Sequence, residues 1–162
     1  MLTSFQWRWG VAQWVEFLKD KEIPVLLRTQ ALMQALASLD TASTEAISAR
    51  DLAGYVFADP YLSLKLLRHA ENRRSRRLGQ ETTTTLAAVL HTGWNELVQL
   101  VSASSVSDDS CKGRNDCEFR AVLASSIARG WAGLRSDVSP DEVALAALLS
   151  DRKSTRLNSS HT

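Results

Sequence analysis

The sequence predicts an all-α chain, a single helical bundle of about six or seven helices with no sheet. Apolar residues recur every three or four positions through most of its length, few segments alternate as strands do, and Gly and Pro occur only seven and three times.

The elements follow in order. Trp7, Val11, Trp14, Val15, Phe17 and Leu18 fall near helical spacing, giving a first amphipathic helix that ends before Glu22-Ile23-Pro24. A second helix spans Val25 to Leu39, and Thr41-Ala42-Ser43-Thr44 breaks its pattern. Ser48-Ala49-Arg50-Asp51 has capping-box spacing, with Asp in the place of the preferred Glu, and opens a short helix carrying Leu52, Tyr55, Val56 and Phe57. Asp59-Pro60 starts the next one, because Asp caps free N–H groups and Pro fits the first helical position. That helix runs to about Asn72 and is expected to bury Tyr61, Leu64, Leu66 and Leu67.

A charged connection from Arg73 to Glu81 follows, then two helical pieces meeting near Thr92-Gly93. SVSDDSCKGRNDC reads as a polar loop, and Glu118 to Leu134 as a helix with Phe119, Val122, Leu123, Ile127 and Trp131 on one side. Ser139-Pro140-Asp141-Glu142 combines an N-cap, a first-turn Pro and a capping-box Glu, launching an apolar helix over Val143 to Leu149. Such a helix needs cover on more than one side, so an exposed apolar patch is expected there.

The 162 residues suffice for one domain with a real core. Apolar residues make up 44% and charged residues 23%, an ordinary balance for a globular protein. No apolar run has the length of a membrane span, MLTSFQWRWG has no signal-peptide pattern, and Cys111 and Cys117 do not make a disulfide framework. A cytoplasmic location with reduced thiols is expected.

Residues 151–161, DRKSTRLNSSH, break with everything before them: they lack helical period and hold one large apolar residue, Leu157. The string reads as the in-frame translation of a common sequencing adapter, so residues 151–162 are expected to be disordered and the native chain to continue beyond Ser150. Without Asp151 to Thr162, Lys+Arg falls from 19 to 16 and Asp+Glu from 18 to 17, moving the formal net charge from +1 to −1. Neither a nucleic-acid partner nor a membrane partner is expected of such a chain.

IPVLLRTQALMQAL followed by ARDLAGYVFADPYLSLKLLRHAEN resembles the opening of an HDOD domain, through Ile23, Pro24 and Leu26, then Leu52, Asp59, Pro60, Leu62, Leu66, Leu67 and Asn72. TLAAVLHTGWNELVQLV resembles a later segment of that family, with Gly93, Trp94, Leu97, Leu100 and Val101 in register and Thr92 replacing an apolar residue. The resemblance divides the chain into an N-terminal helical extension (1–13), an HDOD-like domain truncated at its C-terminus (14–150) and the adapter-like string (151–162). It implies a bacterial, non-catalytic signal-transduction domain that has lost the metal ligands of the related HD phosphohydrolases. A protein partner or small signalling ligand, with no cofactor, is implied. Where an HD-type "LLHD" would stand, Ser150 occupies the histidine position.

The residues bear the same reading. HD-type hydrolysis needs several His and Asp side chains around one or two metals. Before residue 151 the chain has His69 and His91, neither in an HD doublet nor in an i,i+4 pair, so neither a metal site nor a catalytic residue is expected. Cys111 and Cys117 at C-x5-C, without a second ligand pair, are a poor zinc signature. Arg68, Arg73, Arg74, Arg76 and Arg77 form the densest charge cluster and are the candidate anion site, since guanidinium forks match phosphate geometry; the bland alternative is a solvated cationic helix end. Trp7, Trp9 and Trp14 crowd the first helix, for packing or for a partner-binding face. Two further readings stand behind the regulatory one: a degenerate HD-type metal-dependent phosphohydrolase, and a nucleic-acid-binding helical domain.

Overall fold

The computed structural model describes residues 8–18, 21–39, 47–73, 81–107 and 112–150. Trp7, Arg74, Arg76, Arg77, Cys111 and the 151–162 string lie outside the described residues. The elements are α1 (Val11–Leu18), β1 (Val25–Leu26), α2 (Leu27–Ala37), α3 (Ala49–Phe57), α4 (Pro60–Arg73), α5 (Thr85–Thr92), α6 (Trp94–Ser102), β2 (Val106–Ser107), α7 (Lys112–Ala132) and α8 (Pro140–Ser150). The fold is all-α in character, with one correction to the expected absence of a sheet.

That correction concerns Val25 and Leu26. Instead of opening the second helix, they pair in parallel with Val106 and Ser107. The Val25 N–H donates to Ser105 O at 2.9 Å, and the Leu26 N–H, on the opposite edge, donates to Asp59 Oδ2 at 3.0 Å. Both donors find partners far along the chain, and α2 starts only after them.

The capping box at Ser48 forms as its spacing predicts: Ser48 Oγ accepts from the Asp51 N–H at 3.1 Å, and Asp51 Oδ2 accepts from the Ser48 N–H at 3.2 Å. Asp59 caps α4, its Oδ1 accepting from the Tyr61 and Leu62 N–H groups at 2.9 and 3.0 Å. The buried face of α4 is Leu62, Ser63, Leu66 and Ala70, whereas Tyr61, Leu64 and Leu67 are only half-buried. Ser63 Oγ donates to Val56 O at 2.9 Å, which holds that face against α3 and rotates the helix away from the expected register. Between α5 and α6, Gly93 sits at φ 78°, a left-handed backbone that a side chain would strain.

The polar stretch before residue 118 is shorter than it reads, because it contains β2 and the first turns of α7. α7 also turns its faces against expectation. It buries Glu118, Ala121, Ser125 and Ala132, while Phe119, Leu123, Ile127 and Trp131 are exposed. In α8, Ala144, Leu145 and Leu148 are buried and Val143 and Leu149 half-buried, so the apolar excess expected on this helix lies on α7 instead. Ser139 Oγ accepts from the Glu142 N–H at 3.4 Å, but the Glu142 carboxylate does not close the box. It accepts from Thr83 Oγ1 at 2.6 Å, tying the start of α8 to the segment before α5.

The main core gathers Val25, Met33, Leu52, Val56, Leu62, Leu66, Val89, Leu97 and Val101 from β1 and α2 to α6. A smaller one joins Ala121, Leu145 and Leu148 of the α7–α8 hairpin. Leu67 of α4 packs against both, so α4 is the element on which the two halves meet. Each fully buried leucine contributes about 1.5–3 kcal/mol, and Leu62 and Leu66 fix the orientation of the opposite, polar face of α4.

Candidate functional site

That opposite face carries Lys65, Arg68, His69 and Asn72, at i, i+3, i+4 and i+7, so all four project to one side of the helix. With Lys21, Glu22 and Ile23 from the segment before β1, and Leu100 of α6, they line a cleft of about 320 Å³. Ile23 and Leu100 supply its apolar lining, and the α4 face its polar wall.

Lys65 anchors the cleft. Its Nζ donates to Ile23 O at 3.0 Å and to Ser104 Oγ, and lies 3.8 Å from Glu22 Oε1. Burial pulls the Lys65 pKa below its ordinary value of 10.5, with the Glu22 charge opposing that shift. The Glu22 carboxylate accepts from the Ser105 N–H at 2.8 Å. That hydrogen bond, chiefly, and then Lys65, hold its pKa below 4.5. The cleft's one carboxylate is therefore ionised at neutral pH and already engaged by the chain itself.

His69 is half-buried, its Nε2 3.3 Å from Glu96 Oε1 at ion-pair distance without hydrogen-bond alignment. Arg73 pairs with the same carboxylate oxygen. Lys21 lies over the Phe17 ring, with Nζ 4.8 Å from its centroid, which places a cation at the mouth of the cleft. A concave surface with Lys21, Lys65, Arg68 and His69 around one engaged carboxylate offers charge-assisted donors to an anion.

The arginine cluster is thus divided. Arg68 lines the cleft, Arg73 is turned to Glu96 beside it, and Arg74, Arg76 and Arg77 lie outside the described residues. Sequence reasoning missed Lys21 and Lys65 as site residues because it weighed a contiguous run of arginines. The helical spacing K65-x-x-R68-H69-x-x-N72 is the signal that marks the α4 wall. His91 lies elsewhere, with Nδ1 3.4 Å from Thr82 Oγ1. Cys117 is half-buried, its Sγ 3.2 Å from Arg120 Nη2. No group of three or more His, Cys, Asp or Glu arranged to hold a metal ion occurs among the described residues, and none of their helices is long and apolar enough to cross a membrane.

The Glu22 contact carries a pH dependence. A carboxylate held below its ordinary pKa in the fold stabilises it above pH 4.5, and that contribution is lost as pH falls through the lowered value. Glu22→Gln is expected to flatten the stability profile of the protein below pH 4.5, read by urea unfolding across acid pH. An unchanged slope would show that the Ser105 contact contributes nothing.

No protein-family model matches the chain, and no curated protein matches it. Among solved structures the fold is similar to that of the MmoQ response regulator from Methylococcus capsulatus str. Bath, with a TM-score of 0.64 at 19% sequence identity. The match covers 80% of this chain and 51% of that one, so the chain corresponds to about half the length of this structural neighbour.

Proposed function

We propose that this chain is a regulatory, non-catalytic domain of the HDOD type, and that it binds a phosphate-bearing small ligand in the cleft beside α4. The observation that carries the reading is the single helical face formed by Lys65, Arg68, His69 and Asn72, set against a carboxylate already held by Ser105 and Lys65. A wall of donors in a concavity of about 320 Å³ suits a small anion better than a flat macromolecular surface. The regulatory part rests on the resemblance to HDOD domains and accords with the description of the MmoQ neighbour as a response regulator.

Inorganic pyrophosphate is the probe, titrated at low and at high salt and followed by calorimetry. Saturable binding that weakens with salt is expected. Arg68→Ala removes one exposed side chain without touching the core, and is expected to lower the affinity about tenfold, equivalent to roughly 1.4 kcal/mol. Absence of binding at low salt, or an Arg68→Ala protein that binds as well as the parent, overturns the cleft as an anion site. Incubation with manganese or magnesium and either a cyclic dinucleotide or a generic phosphodiester is expected to give no turnover. Hydrolysis that disappears in His69→Ala or His91→Ala would establish the phosphohydrolase reading instead.

A further inference from the structure

The side of α7 turned away from the cores carries Phe119, Leu123, Ile127 and Trp131, an unbroken i,i+4 ladder continued by Leu134 just past the helix. These five side chains are between 47% and 87% exposed. The opposite, buried face of the helix is made of small or polar residues: Ala121, Ser125, Ala132 and Glu118. A helix that buries its alanines and exposes its largest apolar residues has its amphipathic face directed at something other than the core it rests on. Gly130, on the same side, has open space where a side chain would stand, which permits close approach of another backbone.

The chain path indicates what covers the ladder. α7 and α8 form an antiparallel hairpin, since Arg129 pairs with Asp141 at 3.1 Å near the turn while Ala121 packs with Leu145 and Leu148 farther along. In that register the end of α8 at Ser150 comes level with Phe119, the first rung. Chain leaving α8 there needs one turn to run back along α7 from Phe119 to Leu134. That span is about 22 Å, the length of a helix of about 15 residues. Residues 151–162 have Leu157 as their one large apolar side chain and cannot supply the complementary face. The similar helical set in the MmoQ neighbour makes up only 51% of a longer chain.

We infer that the α7 ladder is the docking face for an amphipathic helix of the same gene product, encoded after Ser150 in the uninterrupted reading frame. The inference is independent of the anion cleft. The apolar side of that helix seats on Phe119, Leu123, Ile127 and Trp131, and completes a third layer over the α7–α8 hairpin.

The test begins with the uninterrupted frame at the source locus, in which the roughly 20 codons after Ser150 are expected to encode apolar residues at helical spacing. Ile127→Cys, placed with Cys111→Ser and Cys117→Ser in the uninterrupted protein and in the 162-residue chain, then reports cover on the ladder through its rate of thiol alkylation. Labelling is expected to be slower by at least about tenfold in the uninterrupted protein, and to be independent of protein concentration. Three results overturn the inference: a native frame that ends at Thr162 or lacks such a helix, equal labelling rates in the two proteins, or protection that grows with concentration. The last would assign the ladder to a second copy of the chain.

Discussion

Asp59→Ala is expected to cost about 3–5 kcal/mol of unfolding free energy, a large share of the net stability of a domain this size. The carboxylate is fully buried and accepts three backbone hydrogen bonds, from Tyr61 and Leu62 at the start of α4 and from Leu26 on β1. Loss of an N-cap alone costs typically about 1 kcal/mol. The remainder comes from the buried Leu26 N–H, which on the β1 edge away from β2 has Asp59 as its acceptor. Asp59→Asn separates the two roles. Its amide oxygen still caps α4, but its NH2 faces the Leu26 donor, so about half of the loss is expected to remain. Urea unfolding of the three proteins is the measurement. A cost below about 1 kcal/mol for Asp59→Ala would show that the tie between β1 and α4 carries no stability.

Lys65→Met is expected to weaken pyrophosphate binding about tenfold or more and to destabilise the fold by about 1–2 kcal/mol. Methionine keeps the length and apolar stem of the side chain, which is 17% exposed, and deletes its donors to Ile23 O and Ser104 Oγ. The segment before β1 then loses its tether to α4, and the cleft its most enclosed cation. A pH profile distinguishes this from a simple packing defect. Burial places the folded-state pKa of Lys65 below 10.5, so in that window the unfolded chain holds a proton that the folded one has released. Stability conferred by Lys65 therefore rises with pH up to about 10.5, and the gap between parent and Lys65→Met is expected to widen over the same range. Parallel profiles would mean that the ammonium is solvated in the fold as it is in the unfolded chain.

What the sequence by itself determined was local. The capping box at Ser48 to Asp51, the Asp59-Pro60 start of α4, the break at Gly93 and the cap at Ser139 stand where their spacing puts them, because each closes hydrogen bonds within three or four residues. The all-α class follows from the same periodicity, repeated along the chain.

Tertiary structure decided whatever depends on partners distant along the chain. Val25 and Leu26 are extended because Ser105 and Asp59, residues that no local window contains, accept from their N–H groups. Periodicity locates the apolar stripe of a helix but not the neighbour that the stripe meets. The α7 ladder was thus legible as one face, while its exposure was decided by the packing of Ala121 against α8. The cleft was half-legible for the same reason. Arg68 stands out in the sequence, whereas Lys21 and Lys65, 44 positions apart in the numbering, become parts of one site only when β1, α4 and the turn after α6 close around Ile23 and Ser104.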